Sequence, residues 1–360
     1  MRLVYVLVKG VIVVPDSTRA TGPWLGVTRT PSLQRVANRP IVCHVLDALA
    51  DAGAVEIAVA APPEVAAEVI RCVESDGPPG VTVHHLLDER RGGRGDALRE
   101  AAEFVADAPC ILHRADGLLC EPILTTIEQP EHGVARDATL LVNNTRRSAM
   151  LRLVATKQVE DEHENGAPAL GASGVAGACI LGPGVMSGLS APHAMQLLDF
   201  AAITEQLARG GASTQVQVAR RWHHFAGDAH DLLDMNRAIL DALDCEALPG
   251  PGDGNHFEGN IAIHPSARVI ASVIIGPAVI GADASISDSY IGPHTSIGEH
   301  VRIEGAELER SIVLAGASVL HVGSRLVTSI VGRNARVFRD LSMPRALRLQ
   351  VGEGDEVALC

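Results

Sequence analysis

Lysine is almost missing from this chain. Of its 30 basic residues only Lys9 and Lys157 are lysine; the others are arginine. Aromatic residues are as scarce, at 2% (Phe 5, Trp 2, Tyr 2), so any core has to be built from aliphatic side chains. No apolar run reaches the ~18–20 residues of a membrane span, which argues against a membrane partner. The seven cysteines, Cys43, Cys72, Cys110, Cys120, Cys179, Cys245 and Cys360, are scattered and form no C-x-x-C. That usage reads as reduced thiols and not as a disulfide framework. Positive charge is also short. Thirty basic against 43 acidic residues leaves −13, and a nucleic-acid surface needs clustered cations. The opening Met1-Arg2-Leu3-Val4-Tyr5 runs into a strand pattern instead of a cleavable leader. The expectation is a soluble, cytoplasmic, acidic protein with neither nucleic-acid nor membrane partners.

What is present has two rhythms. From Ile263 an aliphatic residue returns every five to seven positions, usually followed by glycine: Ile275-Gly276, Ile280-Gly281, Ile291-Gly292, Ile297-Gly298 and Val331-Gly332. This is the hexapeptide repeat of a parallel β-helix, in which each rung turns an aliphatic residue inward and stacking buries it. Upstream, Leu3–Val14, Val55–Ala60, Val81–Val83 and Cys110–Leu112 read as strands. Ile41–Ala52, Pro63–Val73, Ala97–Val105 and Leu232–Leu243 read as helices, and the alternation predicts a largely parallel sheet covered on both faces. Leu248–Asn260, rich in Gly and Pro, reads as a linker. The predicted organisation is an α/β domain over 1–245, a linker over 246–262, a β-helix over 263–340 and a tail over 341–360.

An α/β domain followed by a hexapeptide β-helix resembles the sugar-1-phosphate nucleotidylyltransferases, most of all the long form of glucose-1-phosphate thymidylyltransferase. Val36-Ala37-Asn38-Arg39-Pro40-Ile41 is similar to V-A-N-K-P-I, and Ala52-Gly53-Ala54-Val55-Glu56-Ile57 to A-G-I-x-E-I. Gly93-Arg94-Gly95-Asp96-Ala97-Leu98 is similar to the base-receiving G-T-A-G-A-L. Leu112-His113-Arg114-Ala115-Asp116-Gly117 falls where the family has its metal-binding G-D, and Val175-Ala176-Gly177-Ala178 resembles the sugar-side S-A-G-I. Trp222 through Gly227 to Asp231-Leu232-Leu233 and Asn236 resembles W-W-x-D-T-G-x-P-E-D-L-L-x-x-N. The resemblance covers nearly the whole chain. It implies a Rossmann-like nucleotidyltransferase sheet followed by a left-handed parallel β-helix.

The resemblance also implies a chemistry. A sugar phosphate oxygen attacks the α-phosphorus of a nucleoside triphosphate and pyrophosphate leaves, so phosphate charge must be neutralised and the reactants aligned. The family uses a G-G-x-G-T-R-L loop, lysines in P-K and E-K-P motifs, and two Asp residues that hold Mg²⁺. Here the loop position reads Val14-Pro15-Asp16-Ser17-Thr18-Arg19-Ala20: Arg19 echoes the T-R, but the glycines are gone. The P-K position falls in Thr30-Pro31-Ser32-Leu33, and the E-K-P region in Val159-Glu160-Asp161-Glu162, with no lysine in either. Asp116 keeps one metal-ligand position, and Phe225 stands at the other. The expectation is an eroded phosphate and metal site, with Mg²⁺ a cofactor only if the ordinary reaction is retained.

Candidate site residues follow from this alignment. Asp116 with His223 or His224 reads as an acid–base pair or, at Asp116, a metal ligand; the simpler reading has both histidines as surface residues at a strand end. Arg19, Trp24, Gly93, Arg94, Gly177, Trp222 and Phe225 are candidate ligand-binding positions, the aromatic three by stacking, with packing under a loop as the alternative. His294, His300 and His321 in the β-helix allow an acyltransferase reading, although His294 resembles a structural tyrosine of the long form. Four functions stand open: a non-catalytic or regulatory homologue, a repurposed enzyme using Asp116 and His223 or His224, a residual thymidylyl- or uridylyltransferase, and a β-helix acyltransferase. The expected partners are a small-molecule ligand in the α/β cleft and either a second copy or an active homologue joined through the β-helix.

Overall fold

The structure of the protein, a computed structural model, describes residues 8–15, 30–86, 95–123, 137–143, 175–189, 203, 206–207, 210–244 and 254–339. Strand β1 (Lys9–Val13) is followed by a short 3-10 turn (Pro31–Leu33), the hairpin β2 (Arg35–Val36) and β3 (Arg39–Pro40), and helix α1 (Ile41–Asp51). Then come β4 (Glu56–Ala60), α2 (Pro63–Asp76), β5 (Thr82–Leu86), α3 (Gly95–Val105), β6 (Cys110–Arg114) and β7 (Gly117–Leu119). The first part closes with β8 (Ala138–Asn143), β9 (Val175–Leu181), α4 (Val185–Gly188), β10 (Thr214–Ala219), β11 (Trp222–His224) and α5 (Ala229–Leu240).

Seven of these strands form one sheet in the order β10-β8-β9-β6-β1-β4-β5. Strand β9 runs antiparallel to both β6 and β8, and the other pairs are parallel. A strand buried on both faces needs apolar residues at successive positions, and β1 supplies them. Ile12 packs into the cluster beneath α1, α2 and α5, while Val11 and Val13 pack into the opposite cluster with Ala101 and Val105 of α3. Burying each such aliphatic side chain stabilises the fold by roughly 1.5–3 kcal/mol. The core is thus aliphatic, as the shortage of aromatics required.

Two of the motif segments are structural devices. Ala37 and Asn38 both have positive φ, 46° and 66°, and form the tight two-residue turn joining β2 to β3. The Ala52-Gly53-Ala54 segment ends α1. Gly53, at φ +90°, donates its N–H to the Ala50 carbonyl, and Ala54 donates to that of Leu49. That pair of bonds satisfies the last turn's carbonyls, and only a residue without a Cβ takes this backbone conformation freely.

Residues 256–338 wind into three five-stranded parallel sheets. Ile274, Ile291 and Leu308 stack on one wall, Ile280, Ile297 and Val313 on the second, and Ile286, Ile303 and Val319 on the third, all buried. At one corner the Ser272 hydroxyl accepts the Ser289 N–H and the Ser289 hydroxyl accepts the Ala306 N–H, so each coil satisfies the next. The winding starts earlier than the repeat pattern indicates. His256–Glu258 lies inside the segment read as linker, yet it pairs with Val273–Ile275. Its inward residue is Phe257, partly buried against the β-helix core, and an aromatic among glycines does not register as an aliphatic repeat.

Asn236, buried on α5, ties the β-helix to the α/β domain. Its Oδ1 accepts the Ala37 N–H (2.8 Å) and the Ser296 hydroxyl (2.9 Å), and its Nδ2 donates to the His294 carbonyl (3.0 Å). Asn38 Nδ2 donates to the Ile297 carbonyl, and His294 Nε2 meets Asp241 Oδ1 at 2.7 Å. Among the described residues no helix is long and apolar enough to cross a membrane. Asn236→Ala leaves a backbone N–H and a hydroxyl without their buried acceptor and a carbonyl without its donor. It is expected to cost about 2–4 kcal/mol, read as a lowered urea midpoint.

Candidate functional site

The candidate site lies at the carboxyl ends of β1 and β6, where open α/β sheets place their ligands. Strand β6 runs in register with β1, so Arg114 sits beside Val13 at the end of the sheet. There the chain turns. Ala115 donates its N–H to the Val13 carbonyl, and the Asp116 carbonyl accepts the N–H of Phe225 (3.0 Å). Strand β7 then leaves the turn and pairs antiparallel with β11, setting His224 opposite Gly117 and Trp222 opposite Leu119. Asp116 is therefore fixed by backbone bonds on both sides before its side chain makes any contact.

That side chain is buried, with 4% exposure, and it is fully engaged. Arg114 donates Nε–H to Oδ1 (2.9 Å) and Nη2–H to Oδ2 (2.6 Å), a two-pronged grip. His224 Nε2 lies 3.2 Å from the same Oδ2 and 3.4 Å from Arg114 Nη2. Burial alone pushes the Asp116 carboxyl up. The hydrogen bonds from Arg114 and His224, with the guanidinium charge, outweigh it and hold the carboxyl well below the ordinary carboxylate range. Burial lowers the Arg114 guanidinium, but its bonds and attraction to Asp116 more than reverse that. The pair is ionised and mutually neutralised.

The surroundings are shaped to this pair. A Cβ on Gly177 would collide with the Arg114 side chain, so the glycine expected on the sugar side is the space in which Arg114 lies. A Cβ on Gly117 would strike the Trp222 ring. Trp222 packs on the core, with its ring centroid 5.4 Å from that of His113. His113 is wholly buried; its Nδ1 donates to the Arg114 carbonyl (2.7 Å) and its Nε2 has no hydrogen-bond partner. Burial pushes this imidazole down to about 4, so it is neutral in the folded protein at physiological pH.

Of the expected site residues, the structure brings Asp116 and His224 together. His223, the next residue on β11, points to the other face; burial lowers its pKa, against the pull of Asp234. Phe225 is 3% exposed and belongs to the core. Asp228 caps α5, accepting the His230 N–H, and Asp231 accepts the N–H of Ala226. Arg19, Trp24, Gly93 and Arg94 lie outside the described residues. Lys9 sits at the amino end of β1, away from the site, where it donates to the Phe104 carbonyl (2.7 Å) and lies 3.4 Å from Glu56. His294, His300 and His321 each face a carboxylate, of Asp241, Asp283 and Glu304. Sequence reasoning missed Arg114; the available signal was an arginine two residues before the lone retained aspartate.

The residues present do not fit a resident Mg²⁺. Magnesium requires several hard oxygen ligands in octahedral array, and a carboxylate free to bind it. Here the one carboxylate already holds a fixed cation, the second position is a buried phenylalanine, and no group of three or more His, Cys, Asp or Glu residues is placed to hold a metal among the described residues.

Known proteins resemble the chain along nearly its full length. It is 27% identical over 337 residues to a glucose-1-phosphate thymidylyltransferase of Streptomyces antibioticus, covering 92% of this chain and 94% of that protein. It is 25% identical over 334 residues to a glucose-1-phosphate thymidylyltransferase of Streptomyces griseus, covering 91% and 92%. It is 25% identical over 339 residues to the low-salt glycan biosynthesis nucleotidyltransferase Agl11 of Haloferax volcanii, covering 92% and 95%. No family model matches.

Two outcomes test the site's energetics. Asp116→Ala, which leaves Arg114 half-buried without its counter-ion, is expected to destabilise the fold by about 3–5 kcal/mol, and Arg114→Leu with Asp116→Leu to recover much of it in urea titrations. His113 takes up its proton near 6.5 when unfolded and near 4 when folded, so the unfolded state binds the extra proton first on acidification. Stability is expected to fall by on the order of 3 kcal/mol across that window, and His113→Phe to flatten the slope in denaturation measured against pH.

Proposed function

We propose that this chain, a homologue of the sugar-1-phosphate nucleotidylyltransferases across both of its domains, keeps their architecture for a sugar phosphate or nucleotide ligand without their metal-dependent transfer step. It acts as a non-catalytic, regulatory member, joined through the β-helix to an active homologue or to a second copy. One observation supports this above the others: the carboxylate of Asp116 is occupied by the guanidinium of Arg114. Nucleotidyl transfer needs charge neutralisation that follows the phosphates from reactants to products. A divalent cation bound by open carboxylates supplies it. An arginine locked to its own aspartate supplies a fixed charge and no exchangeable coordination position. The absence of lysine from the two motif regions, Thr30–Leu33 and Val159–Glu162, points the same way.

A second reading rests on the contact between His224 and Asp116. A carboxylate holding one nitrogen of an exposed imidazole orients the other toward solvent, the arrangement of a general base. On this reading the cleft works on a different substrate, with His224 taking its proton. Activity toward any substrate that is unchanged in both His224→Ala and Asp116→Ala would exclude it.

The leading reading is tested with the purified chain, Mg²⁺, thymidine triphosphate and glucose 1-phosphate, following pyrophosphate release. The expected result is no release above the protein-free control. Sustained release that depends on Asp116 would overturn the non-catalytic assignment and establish a residual thymidylyltransferase. Added to an active thymidylyltransferase of the same cell, the chain is expected to change that enzyme's rate.

A further inference from the structure

We propose that the Arg114–Asp116–His224 cluster is a metal-independent binding site for a phosphate monoester, with Arg114 as the cation that reads the phosphate. The inference rests on the reading that the cleft takes a sugar phosphate, and it deepens that reading by naming the group that binds and the condition under which it does so.

The guanidinium has two usable edges, and the structure engages one of them fully. Its Nε–Nη2 edge lies on Asp116; on the other edge Nη2 lies 3.4 Å from His224 Nε2 and Nη1 bonds to no described residue. Exposure rises outward through the cluster: 4% for the Asp116 side chain, 25% for Arg114 and 39% for His224. The negative charge is therefore the buried member, and the guanidinium and imidazole are the members that reach solvent. A buried carboxylate behind a guanidinium fixes the plane of the fork, so little rotamer entropy remains to be lost when a planar or tetrahedral oxyanion docks on the second edge. His224 adds an imidazole whose remaining nitrogen, Nδ1, has no partner among the described residues.

The site is built to hold the arginine in this one place. Gly177 on β9 leaves the volume through which the Arg114 stem passes, and the backbone bonds at Ala115 and Phe225 lock the turn that carries Asp116. A flexible surface arginine would need none of this. The arrangement replaces an exchangeable divalent cation with a covalently attached one. A fixed cation suits retention of a phosphate, since its affinity does not depend on metal supply.

Calorimetric titration of the full chain with inorganic phosphate and with glucose 1-phosphate tests this, first in EDTA and then with excess Mg²⁺. The expected result is binding of equal affinity in both conditions, weakened about tenfold or more by Arg114→Gln. Asp116→Asn is expected to tighten binding, because it removes the negative charge that Arg114 now neutralises while leaving an amide oxygen for the fork. A purely structural Arg114–Asp116 pair would not give that opposite response, and the double variant Arg114→Leu with Asp116→Leu, expected to fold and to lose phosphate binding, serves where Arg114→Gln fails to fold. Binding that requires Mg²⁺, an affinity unchanged in Arg114→Gln, or no binding of either probe would overturn the proposal. Pyrophosphate release in the same samples would overturn the non-catalytic reading whichever way the titrations fall. Failed titrations without release would overturn only this inference.

Discussion

The salt bridge between Arg114 and Asp116 is the constraint on which the rest of the site depends. Two charges buried together are stable only while both are present and well bonded, because each alone would face the full cost of desolvation. The structure meets that condition with two short hydrogen bonds and a third group, His224, on the same oxygen. Once the pair is in place, its neighbours follow. Residue 177 must lack a side chain, the turn at Ala115-Asp116 must be held from both sides, and the carboxylate is no longer free for a metal.

The same segment is mechanically joined to the β-helix. His224 ends β11, Asp228 caps the helix that follows, and Asn236 on that helix binds both the Ala37-Asn38 turn and the β-helix backbone. Only short, bonded steps separate the wall of the cleft from the coil at His294–Ile297. The β-helix is thus on a scaffold continuous with the candidate site, which gives the proposed regulatory role a physical route. Asn236 is the joint of that route because its side chain bonds the Ala37 N–H on one side of the boundary and Ser296 and His294 on the other.

Much of the fold was legible in the residues. Successive apolar positions in Val11–Val13 require a strand buried on both faces, and the aliphatic-glycine repeat after Ile263 requires stacked coils. Helices α1 and α2 were legible in the same way, whereas the terminator at Gly53 and the cap at Asp228 were not read from the sequence. The start of the β-helix was not, because Phe257 fills a core position with an aromatic residue among glycines. In the site, the approach of Asp116 to one of His223 and His224 followed from the family alignment, and the contact is with His224. The separation of His223 did not, since it depends on which face of a three-residue strand meets β7. Phe225 read as a cleft residue, whereas the turn after β11 carries it into the core.

The sequence alone determined that the chain is a lysine-poor, aliphatic, acidic protein with an α/β domain before a coil of hexapeptide repeats. These are properties of composition and periodicity, which need no long-range contact to be read. Only the tertiary structure decided what the Asp116 carboxylate does. Arg114 ends β6, and Asp116 lies in the turn two residues on. Yet whether the guanidinium turns back onto the carboxylate depends on room left by Gly177, 63 positions later in the chain, and on a histidine from β11, the strand paired with β7. Charge pairing in a buried site is settled by neighbours in space, and those neighbours are distant in sequence.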